Sequence, residues 1–338
     1  MQTEMASAVA ELPYRDIEAA ARLLRGGGLV AFPTETVYGL GADACNPAAV
    51  RRIFAAKERP WDHPLILHLA GADRLDYWAR EVPDAAYRLA ERFWPGPLTL
   101  ILRRRHALLE VTGGQDTVGL RVPDHPVALA LLEAFGGGIA APSANRFGRV
   151  SPTRARHVRE ELQGKVDRIL EGGPCRVGLE STILSLAGGQ PRILRSGAIP
   201  ASALQEALGE DIAAPTAAEG IRAPGALASH YAPKTRLEVW PLEALKRRCA
   251  ELALEGVAAA ALLIAPDPGV LQEHADIASV AMPAEPAGYA RRLYAVLRLL
   301  DSGRYGLLLA ESPPETEGWL AVNDRLRRAC RHWGEAPI

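Results

Sequence analysis

The sequence predicts two α/β domains, a larger one built on a twisted sheet and a smaller one of Rossmann-like, parallel pattern. Three observations carry this expectation. The chain has 338 residues, more than one core usually serves. Short apolar runs that read as strands are interleaved with amphipathic segments that read as helices. Residues 209–234 are rich in Ala, Pro and Gly without a sustained period, and they interrupt the pattern before it restarts.

Taken in order, Asp16 is a good N-cap for a helix running through Leu24, with Ile17, Ala20, Ala21 and Leu24 on one face and a stop at Gly26-Gly27-Gly28. Leu29–Phe32 reads as a buried strand broken by Pro33. Asn46-Pro47 supplies the N-cap and first position of a helix that ends near Lys57. Strands follow at Leu65–Leu69, Leu98–Leu102 and Val118–Val122, with helices at Ala85–Phe93 and Pro126–Phe135. Further strands are expected at Ile139–Ala141, Arg168–Leu170, Ser181–Leu186 and Arg192–Leu194. The second domain reads as strand Leu237–Trp240, helix Leu242–Leu254, strand Ala259–Ile264, a Pro-rich loop, helix Ala287–Leu300, strand Gly306–Ala310 and helix Gly318–Cys330. It lacks a G-x-G-x-x-G fingerprint, so its pattern says nothing about nucleotide binding.

Composition excludes several classes. No stretch approaches the ~20 apolar residues of a membrane span, and Glu4 and Glu11 stand where a signal peptide would carry basic residues, so a cytoplasmic location is expected. Cys45, Cys175, Cys249 and Cys330 form no C-x-x-C pair and read as reduced, mostly buried thiols, Cys45 included. The eight histidines form no tight ligand pattern, so no protein-held metal is expected. Residues 1–200 carry 25 basic against 22 acidic residues, and the remainder 14 against 18, which neither requires nor excludes a polyanion. Of 39 basic residues only Lys57, Lys165, Lys234 and Lys246 are lysine, so a lysine inside a motif stands out.

The chemistry concentrates in two neighbouring segments. Phe32-Pro33-Thr34-Glu35-Thr36-Val37-Tyr38-Gly39-Leu40-Gly41 is a strand feeding a loop of hydroxyls and glycines, the way α/β folds place ligand-binding groups at a sheet edge. Lys57-Glu58-Arg59-Pro60 through Pro64-Leu65-Ile66-Leu67-His68 sets two cations about a turn on a proline-stiffened loop, a pair suited to phosphate oxygens. Taken singly, Lys57 also reads as a solvated helix end complementing the dipole.

Together these segments resemble the YrdC-type threonylcarbamoyl-AMP synthase family. Later motifs agree in order: Thr117–Pro123, Ala141-Pro142-Ser143-Ala144-Asn145, Ser151-Pro152-Thr153, Glu180-Ser181-Thr182-Ile183 and Leu194-Arg195-Ser196-Gly197. The Ala223-Pro224-Gly225 to His230-Tyr231-Ala232-Pro233 stretch leads into a second domain, as in the long form of the family. The resemblance implies a YrdC-type twisted mixed sheet with helices over residues 1–208, a linker contacting the active site over 209–234, and a smaller Rossmann-like parallel domain over 235–338. It implies synthesis of threonylcarbamoyl-AMP and pyrophosphate from L-threonine, bicarbonate and ATP, with Mg2+ carried in by the ATP. The product would go to a tRNA-modifying transferase complex, with weak direct tRNA binding possible.

Carried over by position, the resemblance puts Thr36, His68, Arg121 and Ser181 around L-threonine. Arg59, His63, Thr117, Ala141, Ser143, Ser151 and Arg195 fall around the nucleotide, with Tyr231 reaching in from the linker. Lys57 and Asn145 go with the phosphates, and Lys57 and Arg59 are the expected catalytic cations. Arg121 suits the carboxylate because a guanidinium can make two parallel hydrogen bonds. The linker departs from the family's P-G-M pattern, with Ala226 after Gly225 and Ala228-Ser229 before His230.

The nucleophile belongs to the substrate, so no catalytic triad is needed, and there is no P-loop motif. Ser143 and Ser181 lie outside any G-x-S-x-G, which argues against a hydrolase. The main rival is a non-catalytic RNA-binding module using Arg103-Arg104-Arg105, His106 and the Arg154, Arg156, Arg159 series, runs that ordinarily form a solvated surface. Carbamoyl transfer in hydrogenase maturation uses a related domain with zinc-finger motifs that are absent here.

Overall fold

The computed structural model describes residues 14–212, 221–225, 231–264 and 277–330. The chain divides into two compact units: Met1–Arg146 with Pro152–Arg176 and Glu180–Ala226, and Phe147–Ser151 with Val177–Leu179 and Leu227–Ile338. The remaining linker positions, His230 among them, and the Pro-rich loop after Ile264 lie outside the described residues.

In the first unit the elements are α1 (Tyr14–Arg25), β1 (Val30–Phe32), β2 (Gly39–Asp43), α2 (Pro47–Lys57), β3 (Ile66–His68), α3 (Leu75–Trp78), β4 (Ala79–Arg80), α4 (Asp84–Phe93), β5 (Leu98–Arg104), α5 (Leu109–Thr112), β6 (Thr117–Arg121), α6 (Pro126–Phe135), β7 (Ile139–Ala140), α7 (Ala155–Leu162), β8 (Arg168–Ile169), β9 (Thr182–Ser185), β10 (Arg192–Arg195) and α8 (Ala201–Leu208). Its strands join in the order β10-β9-β5-β6-β3-β7-β2-β1-β8, with β4 also on β5. The sheet is mixed: β3–β6, β5–β9 and β1–β8 are parallel and their neighbours antiparallel. One apolar layer packs Val50, Ile53, Leu67, Leu89, Leu100 and Leu120, and a second packs Ile17, Ala21 and Leu24 of α1 against Val127, Leu131, Phe32 and Ile139.

Local chemistry explains most boundaries. Asn46 caps α2 by accepting from Ala49 N–H at 3.1 Å, with Pro47 in the first turn. Asp16 is not the N-cap of α1: that helix begins at Tyr14 and Asp16 sits in its first turn, ion-paired with Arg168. The strand β2 and the helices α7 and α8 were not expected. The glycines of β2 read as loop, yet they let it pass between β1 and β7; a Cβ on Gly41 would fall 2.7 Å from Ile139 Cγ2 and 2.8 Å from Phe32 Cε1.

The second unit contains β11 (Arg236–Trp240), α9 (Leu242–Leu254), β12 (Ala259–Ile264), β13 (Ile277–Met282), α10 (Pro286–Leu300), β14 (Leu307–Glu311) and α11 (Leu320–Cys330). Its sheet is all parallel, β11-β14-β12-β13, as expected. β12 is an unbroken apolar run, the pattern of a strand covered on both faces. β13 escapes sequence reading because Ala and Ser supply little strand propensity and its residues do not alternate apolar with polar, although their burial in the fold does alternate. Cys175, Cys249 and Cys330 are buried, whereas Cys45 is exposed, contrary to expectation: it occupies the turn before α2, where its N–H donates to Asp43 Oδ1. Among the described residues no helix is long and apolar enough to cross a membrane.

Candidate active site

The β3–β6 pairing sets His68 beside Arg121, and Leu69 N–H closes on Arg121 C=O at 2.9 Å. Both side chains are buried. Side chains two apart in a strand share a face, so Thr117, Gly119 and Arg121 form one line along β6. A Cβ on Gly119 would come 3.1 Å from Ile101 Cδ1, 3.4 Å from Thr99 Cγ2 and 3.7 Å from Ile66 Cγ1. Glycine there keeps the sheet surface low between the Thr117 end and the Arg121 end.

At the Arg121 end, Nε donates to Gly96 C=O at 3.2 Å and Nη2 stands 2.7 Å from Glu35 Oε1. That ion pair is close but off the line of a proper hydrogen bond, since both Glu35 oxygens and Nη2 lack one. Burial first, and Arg121 second, push the His68 imidazole down to about 3, so the ring is neutral. The ring meets Phe32 edge to face, with ring centroids 5.8 Å apart. Thr36 is fixed one step away: Thr34 Oγ1 accepts from Thr36 N–H and Val37 N–H, both at 3.2 Å, and lies 2.8 Å from Thr36 Oγ1.

Ser181 anchors a second group. Its Oγ is 2.7 Å from Thr99 Oγ1 and accepts from Arg195 Nη2 at 3.0 Å, while Arg195 Nε donates to Ser181 C=O and Nη1 to Pro224 C=O. Arg195 is thus buried and committed to the chain around Ser181 and to the linker. Ala223 packs with Ile101 and Ile183, placing residues 221–225 over the β5–β9 face. Arg222 secures that segment through its side chain, which donates to Gly113 C=O at 2.6 Å and pairs with Asp62 at 3.4 Å, and through its backbone, whose N–H donates to Gln115 Oε1 and whose C=O accepts from Gln115 Nε2.

The third group surrounds the end of α2. Lys57 is 1% exposed, not a solvated helix end, and Nζ donates to the carbonyls of Ser143 and Asn145. Burial, then the charge of Arg59, holds its ammonium well below the usual lysine range. Glu58 closes the helix in the left-handed region at φ 55°, which swings Arg59 back so that its N–H meets Phe54 C=O and Nη2 meets Pro64 C=O at 2.9 Å. His63 is half-buried, and its pKa is lowered by burial and then by Arg59, with Arg222 adding to the effect and Asp62 opposing it. Arg59 and Arg222 therefore set a local positive field suited to phosphate oxygens, beside a His63 ring that burial and Arg59 push toward its neutral form. The segment carrying Ala141, Ser143 and Asn145 is threaded in by backbone bonds: Ala141 N–H to Ile66 C=O, Leu40 N–H to Pro142 C=O, and Ala144 N–H to Tyr38 C=O.

Ser151 and Tyr231 belong to the second unit. Ser151 C=O accepts from Arg298 Nε at 3.3 Å. Tyr231 is buried at φ 64°, stacked on Tyr294 at 5.8 Å with Arg325 5.2 Å over its ring. Its hold is thus on that unit's own packing. Of the basic run, Arg103 pairs with Asp116, Arg104 donates to Ala107 C=O and Arg105 to Asp76 C=O, so these forks are engaged within the domain. Sequence reading assigned no role to Glu35, Thr99, Gly119 or Arg222. Glu35 alone carried a signal, as a carboxylate set between two threonines directly after a buried strand.

Comparison with known proteins bears on the family and the fold. The Sua5/YciO/YrdC family model, described as telomere recombination, matches residues 22–197. A model described as threonylcarbamoyl-AMP synthase, C-terminal domain, matches residues 199–330. Threonylcarbamoyl-AMP synthase of Pyrococcus abyssi is 41% identical, covering 93% of each chain, and that of Bacillus subtilis is 40% identical, covering 93% of this chain and 92% of its own. The crystal structure of P. abyssi Sua5 complexed with L-threonine superposes with a TM-score of 0.87 at 39% identity, covering 95% of each chain. By both of its domains and along nearly its whole length, the chain belongs to the two-domain threonylcarbamoyl-AMP synthase family.

Proposed function

We propose that this protein is an L-threonylcarbamoyladenylate synthase, converting L-threonine, bicarbonate and MgATP to threonylcarbamoyl-AMP and pyrophosphate. The observation that carries the reading is the line of groups along β6: a buried guanidinium at one end, a hydroxyl at the other and a glycine floor between. Arg121 takes the threonine carboxylate, with Thr36, neutral His68 and Ser181 around the rest of the amino acid. The carbamate, formed from the threonine amine and bicarbonate with loss of water, attacks the α-phosphorus of ATP and expels pyrophosphate. Arg59 and His63 face the phosphates, while Thr117, Ala141, Ser143 and Ser151 bound the nucleotide. Lys57 acts by locking Ser143 and Asn145, since its donors are directed at their carbonyls. Arg195 positions Ser181 and Pro224, and Tyr231 is the nucleotide contact contributed from the linker. The magnesium ion arrives with ATP; among the described residues no cluster of three carboxylate, His or Cys donors would hold one independently.

The product would serve cytoplasmic threonylcarbamoylation of tRNA by a separate transferase. Incubating purified protein with ATP, magnesium, bicarbonate and threonine should yield pyrophosphate and a threonylcarbamoyl-adenylate mass, each dependent on both threonine and bicarbonate. Pyrophosphate release indifferent to threonine would sink the reading.

A further inference from the structure

Glu35 is 1% exposed, and neither carboxylate oxygen has a hydrogen bond of normal geometry. An ionised carboxylate offers about four acceptor positions, and this one is met by a single off-line guanidinium nitrogen at 2.7 Å. Burial in that condition is costly unless a further donor arrives. Its neighbours have little to give. Thr34 and Thr36 hydroxyls are engaged with each other, and Thr34 Oγ1 also donates to Val37 C=O. His125 contacts Gly172 C=O through Nε2 and accepts Val127 N–H at Nδ1. The Cys175 thiol, pushed up to about 12 by burial and then by Glu35, stays protonated and is a weak donor. A carboxylate and a guanidinium placed side by side complement the two charges that an α-amino acid carries on one carbon.

We propose that Glu35 receives the α-amino group of the substrate while Arg121 holds its carboxylate, making Glu35 the residue that selects an amino acid over a carboxylate of the same shape. This rests on the reading of Arg121 as the threonine carboxylate site. The test compares L-threonine with 2,3-dihydroxybutanoate, which keeps the carboxylate and side chain but replaces the amino group by hydroxyl. Calorimetric titration of wild-type protein, with displacement for the weaker ligand, should favour threonine by at least about 100-fold, the scale of a buried charge-assisted contact. In Glu35→Gln that preference should fall below about tenfold, chiefly through weaker threonine binding, while ATP affinity is retained. Glu35→Asp, which keeps the charge and covers the case of a Gln variant that does not fold, should hold an intermediate preference. If either variant weakens both ligands by the same factor, Glu35 merely braces Arg121 and the proposal fails alone. Wild-type protein that binds neither ligand overturns the functional reading beneath it.

Discussion

Both units bury charge, but they use it differently. In the second, Arg325 lies over Tyr231 and pairs with Asp324, and Glu238 is met by Arg236, Arg248 and Trp240 Nε1. There a buried charge meets partners from its own fold. In the first, Glu35, His68 and Arg121 sit together with Glu35 Oε1 and Oε2, His68 Nδ1 and Arg121 Nη2 lacking proper hydrogen bonds. Burial of charge alone does not mark a site; burial combined with unfilled hydrogen-bond capacity does.

The sharpest way to break this contrast is at Arg121. Arg121→Lys should cost nearly as much threonine affinity as Arg121→Ala, on the order of 100-fold, because an ammonium cannot reproduce the fork. Unchanged affinity in the Lys variant, read by calorimetry, removes Arg121 from the substrate site.

A pH experiment sharpens it further. His68 in the fold titrates near 3, below the ordinary value of about 6.5, so the unfolded chain binds a proton that the native state refuses. Its contribution to stability is full above about pH 6.5 and declines as pH falls toward 3, by at most about 1.4 kcal/mol per pH unit. Denaturant melts at pH 7 and pH 5 should show His68→Asn losing about 2 kcal/mol less than wild type over that interval. Equal losses would mean that His68 is not held neutral.

In the second unit Arg325→Met should lower stability by about 1–3 kcal/mol through loss of the Tyr231 and Asp324 contacts, with threonine affinity unmoved. A large loss of threonine affinity would break the contrast from the other side. The smallest effect is expected at Arg222, half exposed and screened: Arg222→Ala should cost below about 1 kcal/mol and show itself as faster proteolysis around residues 221–225. Unchanged cleavage would mean that the two bonds from the Gln115 side-chain amide to the backbone of residue 222 suffice to dock the segment.

Much of this was legible in the sequence. Asn46-Pro47 announced α2, the run Ala259–Ile264 announced β12, and the ordered motifs singled out Thr36, His68, Arg121 and Ser181, all of which are buried, with His68 set beside Arg121. What stayed hidden depends on contacts across the chain. Gly39 and Gly41 read as loop because nothing local says that β1 and β7 will close on them. Thr99 looked like one polar residue in an apolar strand until β9 brought Ser181 against it. Lys57 stood out as a motif lysine directed at phosphates, but its burial against two carbonyls was hidden because they lie 86 and 88 residues away. Glu35 was visible, but its lack of well-aligned donors is a property of three dimensions only.

The sealing of Lys57 has a practical side. The other lysines, Lys165, Lys234 and Lys246, are exposed or half-exposed, whereas Lys57 is closed to reagents and bound to two carbonyls. Amine-directed coupling, to a bead, a dye or a surface, should therefore find those three side chains and leave Lys57 and the end of α2 chemically untouched.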